Sequence, residues 1–501
     1  MSGVVAAGHP ASAEAGATVL REGGNAVDAA VCAVLASFAA ESPLTGFGAG
    51  GFMMVHEGGE TTLIDFFVAA PGLDGIERGA ELVPIPVHFD ADTVQTFYVG
   101  PASCGVPGTA AGLEEALRRF GSMPLEELAA PGIRLAREGA PVNAEQAYIL
   151  DILAPIHARL AGTRELYAPD GRTLRDGDLI RFGELAEALE RFAVEGAEPF
   201  YRGEVAAALS EFVVERGGTL GAGDFAAYEA VERAPVRVPF RGAEVLTNPP
   251  PSSGGVLIAY CLGLLERLGE SSGPEQLVAA MGAANEARGE AFAEALYGDG
   301  LEESLLAPSA LDLKAGDLLG STTHIAVLDG DGTCASVTCS NGSGSGVLVP
   351  GTGVILNNML GEEDLNPLGF HAIAPGRRVP SMMAPTVVLR DGEIELGLGS
   401  AGSNRIRSAI LQTIVRAVEQ GMAAEEAVRA PRLHYEAGIV QAEPGIDEEA
   451  LARIEARGVS VLRRPAINLF FGGVQAVARD PSSGALSGGG DPRRGGAVAT
   501  V

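Results

Sequence analysis

Two strand pairs, set far apart in the chain and separated by mostly helical sequence, do most to limit the possible folds. The first pairs residues 52–57 with 61–69 across Gly58-Gly59. The second pairs 323–328 with 333–339 across Asp329-Gly-Asp-Gly332, a strong turn signal. Helical spacing marks 11–21, closed by Gly23-Gly24, and a second helix capped by Asn25 and running through Ala40. Further helices are expected over 113–119, 125–137, 182–195, 256–268, 274–296 and 405–420. Strand pairs early and late with helices between predict sheets covered by helices, and the length allows two to three ordinary domains or one large α/β body.

The chain has 501 residues, 47% of them apolar, so it can bury a sizeable core. Its formal net charge of -30 argues against nucleic acid or an anionic membrane surface as a partner. The five cysteines lack CxxC spacing, and Cys334 and Cys339 fall on opposite faces of one strand, so neither a disulfide framework nor a zinc site is expected. The seven histidines show no HExxH, and no metal or other cofactor is expected. The longest apolar run, Ala29 to Ala40, is too short to span a bilayer. No secretory signal is visible, so a cytoplasmic location is expected, unless the true start lies upstream and carries an export signal.

Two strings mislead. Gly46-Phe-Gly-Ala-Gly-Gly51 fits the dinucleotide pattern, but a helix precedes it and a strand follows, the reverse of what that site requires. It is expected to be a tight helix-to-strand turn. Gly269-Glu-Ser-Ser-Gly273 fits the nucleophile-elbow pattern but lies between two helices, where Ser271 or Ser272 is expected to cap.

Chemistry concentrates in Gly320-Ser-Thr-Thr-His324. A threonine hydroxyl is a poor nucleophile without a base beside it. If the bond before Thr322 is cut, the freed α-amino group, with an ordinary pKa of about 7.7–8.0, becomes that base. One residue then supplies nucleophile and proton acceptor, which suits amide hydrolysis or acyl transfer through an ester. Taken alone, the string also reads as β-formers opening a strand.

Its surroundings carry a wider pattern. Gly24-Asn-Ala-Val-Asp-Ala-Ala30, Gly48-Ala-Gly-Gly-Phe52, Gly105-Val-Pro-Gly108 and Pro249-Pro-Pro-Ser-Ser-Gly-Gly255 are followed in order by Pro350-Gly-Thr-Gly-Val-Ile-Leu-Asn-Asn358, Ala384-Pro-Thr386, Ala430-Pro-Arg432 and Asp491-Pro-Arg-Arg494. Over nearly the whole chain this resembles the γ-glutamyltransferases of the N-terminal-nucleophile hydrolase superfamily. The resemblance implies an α+β fold, a four-layer αββα sandwich, and self-cleavage between Ser321 and Thr322. A large subunit, 1–321, and a small subunit, 322–501, then stay together as a heterodimer, with higher oligomers open. It implies a small-molecule γ-glutamyl or related acyl amide as substrate, glutathione among the candidates, with water or an amine as acceptor.

The resemblance also assigns residues. Ser340 matches a second hydroxyl that serves the nucleophile's amine; the plainer reading is a polar strand end. Gly402 and Ser403 match a paired-glycine oxyanion segment, with Ser in place of the second glycine; the plainer reading is a capped turn. Glu362 matches the acid that binds the substrate's amine; otherwise it belongs to a solvated acidic turn.

Departures cluster at one end of the donor pocket. Phe67-Val68 stands where typical members carry an Arg-Glu pair whose arginine holds the substrate carboxylate. Ser381-Met382 replaces a Ser-Ser pair. Three readings follow: a γ-glutamyl enzyme using another arginine such as Arg377 or Arg405, an acylase not specific for γ-glutamyl as in the cephalosporin-acylase-like relatives, or an inactive binding homologue.

Overall fold

Two antiparallel sheets lie face to face at the centre of the molecule. The computed structural model describes residues 2–89, 94–269, 271–298, 300–306 and 322–501. Ser321, and with it the expected cleavage bond, lies outside the described residues. One sheet has seven strands in the order Ala497–Thr500, Gly3–Ala7, Thr323–Asp329, Cys334–Ser340, Gly50–Glu57, Glu60–Phe66 and Val231–Arg233. The other has six, in the order Leu486–Gly490, Gly473–Arg479, Glu393–Ala401, Thr386–Arg390, Ala243–Thr247 and Val236–Phe240. Helices Pro10–Arg21 and Ala26–Ala40 cover the outer face of the first sheet, and Ser253–Leu268 and Arg405–Ile414 that of the second. The result is the αββα sandwich that the resemblance implies. No helix among the described residues is long and apolar enough to cross a membrane.

Strand parity explains why the central strands are apolar on both faces. In Thr323–Asp329, Ile325 and Val327 enter the core under the first helical layer, while Ala326 and Leu328 enter the core between the sheets. Gly3–Ala7 divides the same way, with Val5 and Ala7 against Val4 and Ala6. Cys334 and Cys339 fall on opposite sides, as their spacing predicts, and all five cysteines are free and buried. Thr323–Asp329 lies between Gly3–Ala7 and Cys334–Ser340, so 1–321 and 322–501 share one sheet.

Local chemistry sets the element ends. Asn25 caps Ala26–Ala40 in a capping box with Asp28, as expected. The strand expected over 61–69 stops at Phe66, because the Asp65 carboxylate takes the Phe67 N–H at 2.9 Å. The helix expected over 274–296 is broken into Pro274–Ala287 and Glu290–Ala295 around Arg288-Gly289. The helix expected over 405–420 keeps its α form to Ile414 and widens to a π-helical turn at Val415–Glu419. Ser272 does not cap a helix; its hydroxyl donates to Glu419 at 2.6 Å. The glycine string at 46–51 is a tight helix-to-strand turn: a Cβ on Gly48 would lie 2.0 Å from the Ile355 carbonyl oxygen.

Candidate active site

Thr322 directly precedes the strand Thr323–Asp329, so parity decides where its neighbours point. Thr323 faces the helical layer, where its hydroxyl donates to Glu41 Oε2 at 2.6 Å. His324 faces the gap between the sheets. Its Nδ1 pairs with Thr338 Oγ1 at 2.8 Å and its Nε2 lies 3.4 Å from Ser336 Oγ. Ser336 in turn donates to the Leu398 carbonyl of the opposite sheet. The imidazole fills the space over Gly399, where a Cβ would meet the ring at 2.3 Å. Burial lowers its pKa to about 3, so His324 is a neutral pin between the sheets and not a base at physiological pH.

Thr322 itself opens onto a small cavity beside this gap. Its hydroxyl lies 3.4 Å from Ser340 Oγ, at the end of the paired strand, and that oxygen accepts the Gly342 N–H at 2.9 Å. The cavity's polar lining is Thr322, Ser340, Glu362, Ser381 and Ser403; its apolar lining is Phe67, Met359, Leu365, Met382, Met383 and Ile406. Residues from six separate stretches of sequence thus meet at one point, seven of the expected site residues among them. Gly402 is not in the lining but forms the same turn as Ser403, between Glu393–Ala401 and Arg405–Ile414. The turn holds Gly402 at φ 120° and Ser403 at φ 52°. Ser403 therefore adopts the left-handed backbone that the family's glycine allows, and its hydroxyl donates to Asp364 Oδ2 at 2.5 Å.

Glu362 is not a solvated acid. It is buried and accepts the Ser343 N–H at 3.0 Å. Burial, reinforced by the nearby Asp364 charge, holds its carboxyl well above the usual range. Phe67 is a wall of both core and cavity, with its ring stacked on Phe52 at 5.3 Å. The two arginines named from sequence as substitute anchors lie elsewhere. Arg377 lines a separate cavity, with its guanidinium over the Tyr297 ring. Arg405 is buried, donating to the Phe470 carbonyl at 3.0 Å and stacked on that ring. Among the described residues no arginine or lysine lines the Thr322 cavity.

The chain as a whole matches a known protein family. A family model described as Gamma-glutamyltranspeptidase matches residues 12–501. The chain belongs to the gamma-glutamyltranspeptidase family. It is 32% identical over 541 residues to the glutathione hydrolase proenzyme of Escherichia coli (strain K12), covering 98% of this chain and 90% of that one. It is 34% identical over 513 residues to the Acylase ACY 1 proenzyme of Pseudomonas sp. (strain SE83), covering 97% and 91%. The solved structure of cephalosporin acylase from Bacillus halodurans superposes with a TM-score of 0.83 at 27% identity, covering 99% and 95%. The protein is thus an enzyme of the gamma-glutamyltranspeptidase type with an N-terminal-nucleophile hydrolase fold.

Sequence reasoning missed two residues behind the nucleophile. Glu41 ends the helix Ala26–Ala40 and receives the Thr323 and Ser12 hydroxyls. Arg494 lies 3.4 Å from the Thr322 carbonyl oxygen, from the loop after the last strand of the six-stranded sheet. Arg494 belongs to the Asp491-Pro-Arg-Arg494 motif, and a charged residue ending an apolar helix was the available signal for Glu41.

Proposed function

We propose that the chain cuts itself between Ser321 and Thr322 and then uses Thr322 to cleave acyl amides. In self-cleavage the Thr322 hydroxyl attacks the Ser321 carbonyl carbon, the peptide C–N bond breaks, and water hydrolyses the resulting ester. The freed α-amine then takes the hydroxyl proton as Thr322 Oγ1 attacks a substrate carbonyl. The proton passes to the leaving amine, and water or an amine acceptor releases the acyl group. Ser340 orients the Thr322 hydroxyl and amine, and the backbone N–H groups of Gly402 and Ser403 receive the oxyanion. Glu362 takes an ammonium on the substrate, and Ser381 provides a polar contact at the carboxylate end. The products 1–321 and 322–501 remain a heterodimer. The observation that carries this reading is the convergence of Thr322, Ser340, Glu362, Ser381 and Ser403 on one cavity.

The lining favours an acylase-like bias over strict γ-glutamyl specificity. Phe67 and Met382 make the carboxylate end apolar, and loss of a charged contact costs about 2–5 kcal/mol. Hydrolysis of γ-glutamyl-p-nitroanilide is therefore weaker than in members with the full motif, and a dipeptide acceptor stimulates it little.

Intact-mass analysis of the wild type and Thr322→Ala, with and without acyl amides, tests the reading. The wild type should split into chains of roughly 33 and 18 kDa, in proportion to the 51.1 kDa whole. Thr322→Ala should stay whole and form no adduct. A wild type that never splits and never acylates defeats the proposal.

A further inference from the structure

The Thr322 cavity, as it stands, has room for about 20 Å³, roughly one water molecule. An acyl chain gains room there if a wall moves aside. A second cavity of about 190 Å³ lies next to the first, and Met382 lines both. Methionine is unbranched, with three rotatable side-chain bonds, and moves aside more readily than any branched neighbour. Met382 also occupies the position that the resemblance assigns to the substrate's carboxylate end. The second cavity thus continues the reaction cavity at the end where the family's arginine is missing.

Its walls are largely apolar, with Phe292, Leu296 and Pro380, and it holds the guanidinium that the first cavity lacks. Arg288, at the break between Pro274–Ala287 and Glu290–Ala295, is the cation of its lining. Its contacts are loose: Nη1 lies 3.3 Å from Asn404 Oδ1 and 3.9 Å from Glu436 Oε1. Arg288 is within electrostatic reach of Asp364 without forming an ion pair with it. Asp364 Oδ2 is taken by Ser403, while its Oδ1 is buried without a hydrogen-bond partner. The remaining acid of the lining, Glu363, is hydrogen-bonded to Tyr98. The cavity therefore presents one under-used guanidinium among largely apolar walls, across Met382 from the Thr322 cavity.

We propose that Arg288 is an anion subsite that binds the far carboxylate of the acyl donor, with Met382 as the movable partition between it and Thr322. The proposal rests on the reading of Thr322 as nucleophile. The donor class is amides of acids that carry a second carboxylate at the far end of the chain. A guanidinium meets a carboxylate through two parallel hydrogen bonds, which fixes the chain end as well as its charge. The predicted donor order places γ-glutamyl and glutaryl, which carry that carboxylate, above butyryl, which does not.

The test compares the p-nitroanilides of these three acids on wild type, Arg288→Met and Arg288→Lys, each confirmed by gel to have split into two chains. The glutaryl-to-butyryl ratio of kcat/KM should exceed ten in the wild type, fall at least tenfold in Arg288→Met, and recover in part in Arg288→Lys. An unchanged ratio in Arg288→Met overturns the subsite while leaving Thr322 in place. If processed wild type turns over none of the three, the nucleophile reading fails, and binding of the free acids decides the subsite separately. Glutarate should then raise the melting temperature of wild type but not of Arg288→Met, and butyrate of neither. Equal shifts by glutarate in both proteins overturn the proposal.

Discussion

The hydroxyl of Thr323 donates to Glu41 Oε2 at 2.6 Å, tying the residue after the proposed nucleophile to the end of a buried helix. Burial pushes the Glu41 carboxyl up to about 7, although bonds from Thr323 and Ser12 and the Arg494 charge oppose the rise. A carboxyl whose folded pKa is raised stabilises the fold fully below its unfolded value, near 4.5, and loses that contribution as pH rises through about 7. Glu41→Gln cannot ionise and lacks this loss. In a Thr322→Ala background, which should keep one chain, wild-type stability relative to Glu41→Gln should fall by roughly 3 kcal/mol between pH 4.5 and 7.5. Urea unfolding at the two pH values checks it; parallel profiles would show that Glu41 does not titrate there.

Ser340 lies 3.4 Å from the Thr322 hydroxyl and is itself fixed by the Gly342 N–H. Ser340→Ala removes one hydrogen bond to a group that becomes charged during the reaction, a loss of about 1.5–3 kcal/mol. Self-cleavage and turnover should both slow by roughly 10- to 100-fold at unchanged fold, given that 1.4 kcal/mol is about a factor of ten. Time-resolved gels and single-turnover acylation measure the two rates. Normal rates for both would remove Ser340 from the mechanism.

His324, two residues after the proposed nucleophile, has a structural role, bonded to Thr338 and Ser336 between the sheets. A Cβ at Gly399 would stand 2.3 Å from the imidazole, so the ring or the sheets must shift to admit it. Gly399→Ala should therefore destabilise the protein by about 1–3 kcal/mol or more. The His324 proton resonances should not titrate between pH 5 and 8, because the ring stays neutral down to about pH 3. An NMR titration showing a midpoint near 6.5 would contradict the buried-pin assignment.

Much of this was legible in the sequence, for definite reasons. The period-2 pattern around Thr323 and the turn at Asp329-Gly-Asp-Gly332 are local signals, and the observed hairpin pairs Thr323 with Cys339 through Leu328 with Cys334. The ordered motifs named Ser340, Glu362, Ser381 and Ser403, and these line one cavity with Thr322. What stayed hidden depends on contacts across the fold. Arg377 and Arg405 looked available as anchors, but Tyr297 and Phe470 occupy their guanidinium faces. Arg288 was hidden inside a segment whose helical spacing continues through its break. Glu41 and Arg494, far apart in sequence, come within electrostatic reach in a fold that pairs Gly3–Ala7 with Ala497–Thr500, strands from the two ends of the sequence, at one edge of the first sheet.

Asp491 anchors the loop that carries Arg494. Its Oδ2 pairs with Arg432 at 2.7 Å and its Oδ1 with Arg493 at 3.1 Å, while Arg493 also pairs with Glu443. All four side chains are buried, so removing one carboxylate leaves guanidinium charge uncompensated. Asp491→Ala should cost about 3–5 kcal/mol. It should also slow self-cleavage beyond the loss of stability, because Arg494 no longer holds the Thr322 carbonyl. Arg494→Met separates the two effects: slow cleavage with a smaller stability loss is expected, and cleavage at the wild-type rate would confine the network to a structural role.

Met382 is where specificity and packing conflict. It is nearly fully buried, and its sulfur accepts from the Ser253 hydroxyl at 3.3 Å. Met382→Ser restores the hydroxyl pair beside Ser381 and opens the wall toward Arg288. Truncating a buried methionine costs about 2–5 kcal/mol, so the melting temperature should fall. A regained hydrogen bond to the substrate carboxylate stabilises by about 1.5–3 kcal/mol, so kcat/KM for γ-glutamyl-p-nitroanilide should rise about tenfold or more. The butyryl donor has no carboxylate and should not share that gain. If both donors gain equally, Met382 is only a steric gate; if neither gains, the carboxylate end of the substrate does not lie at Ser381-Met382.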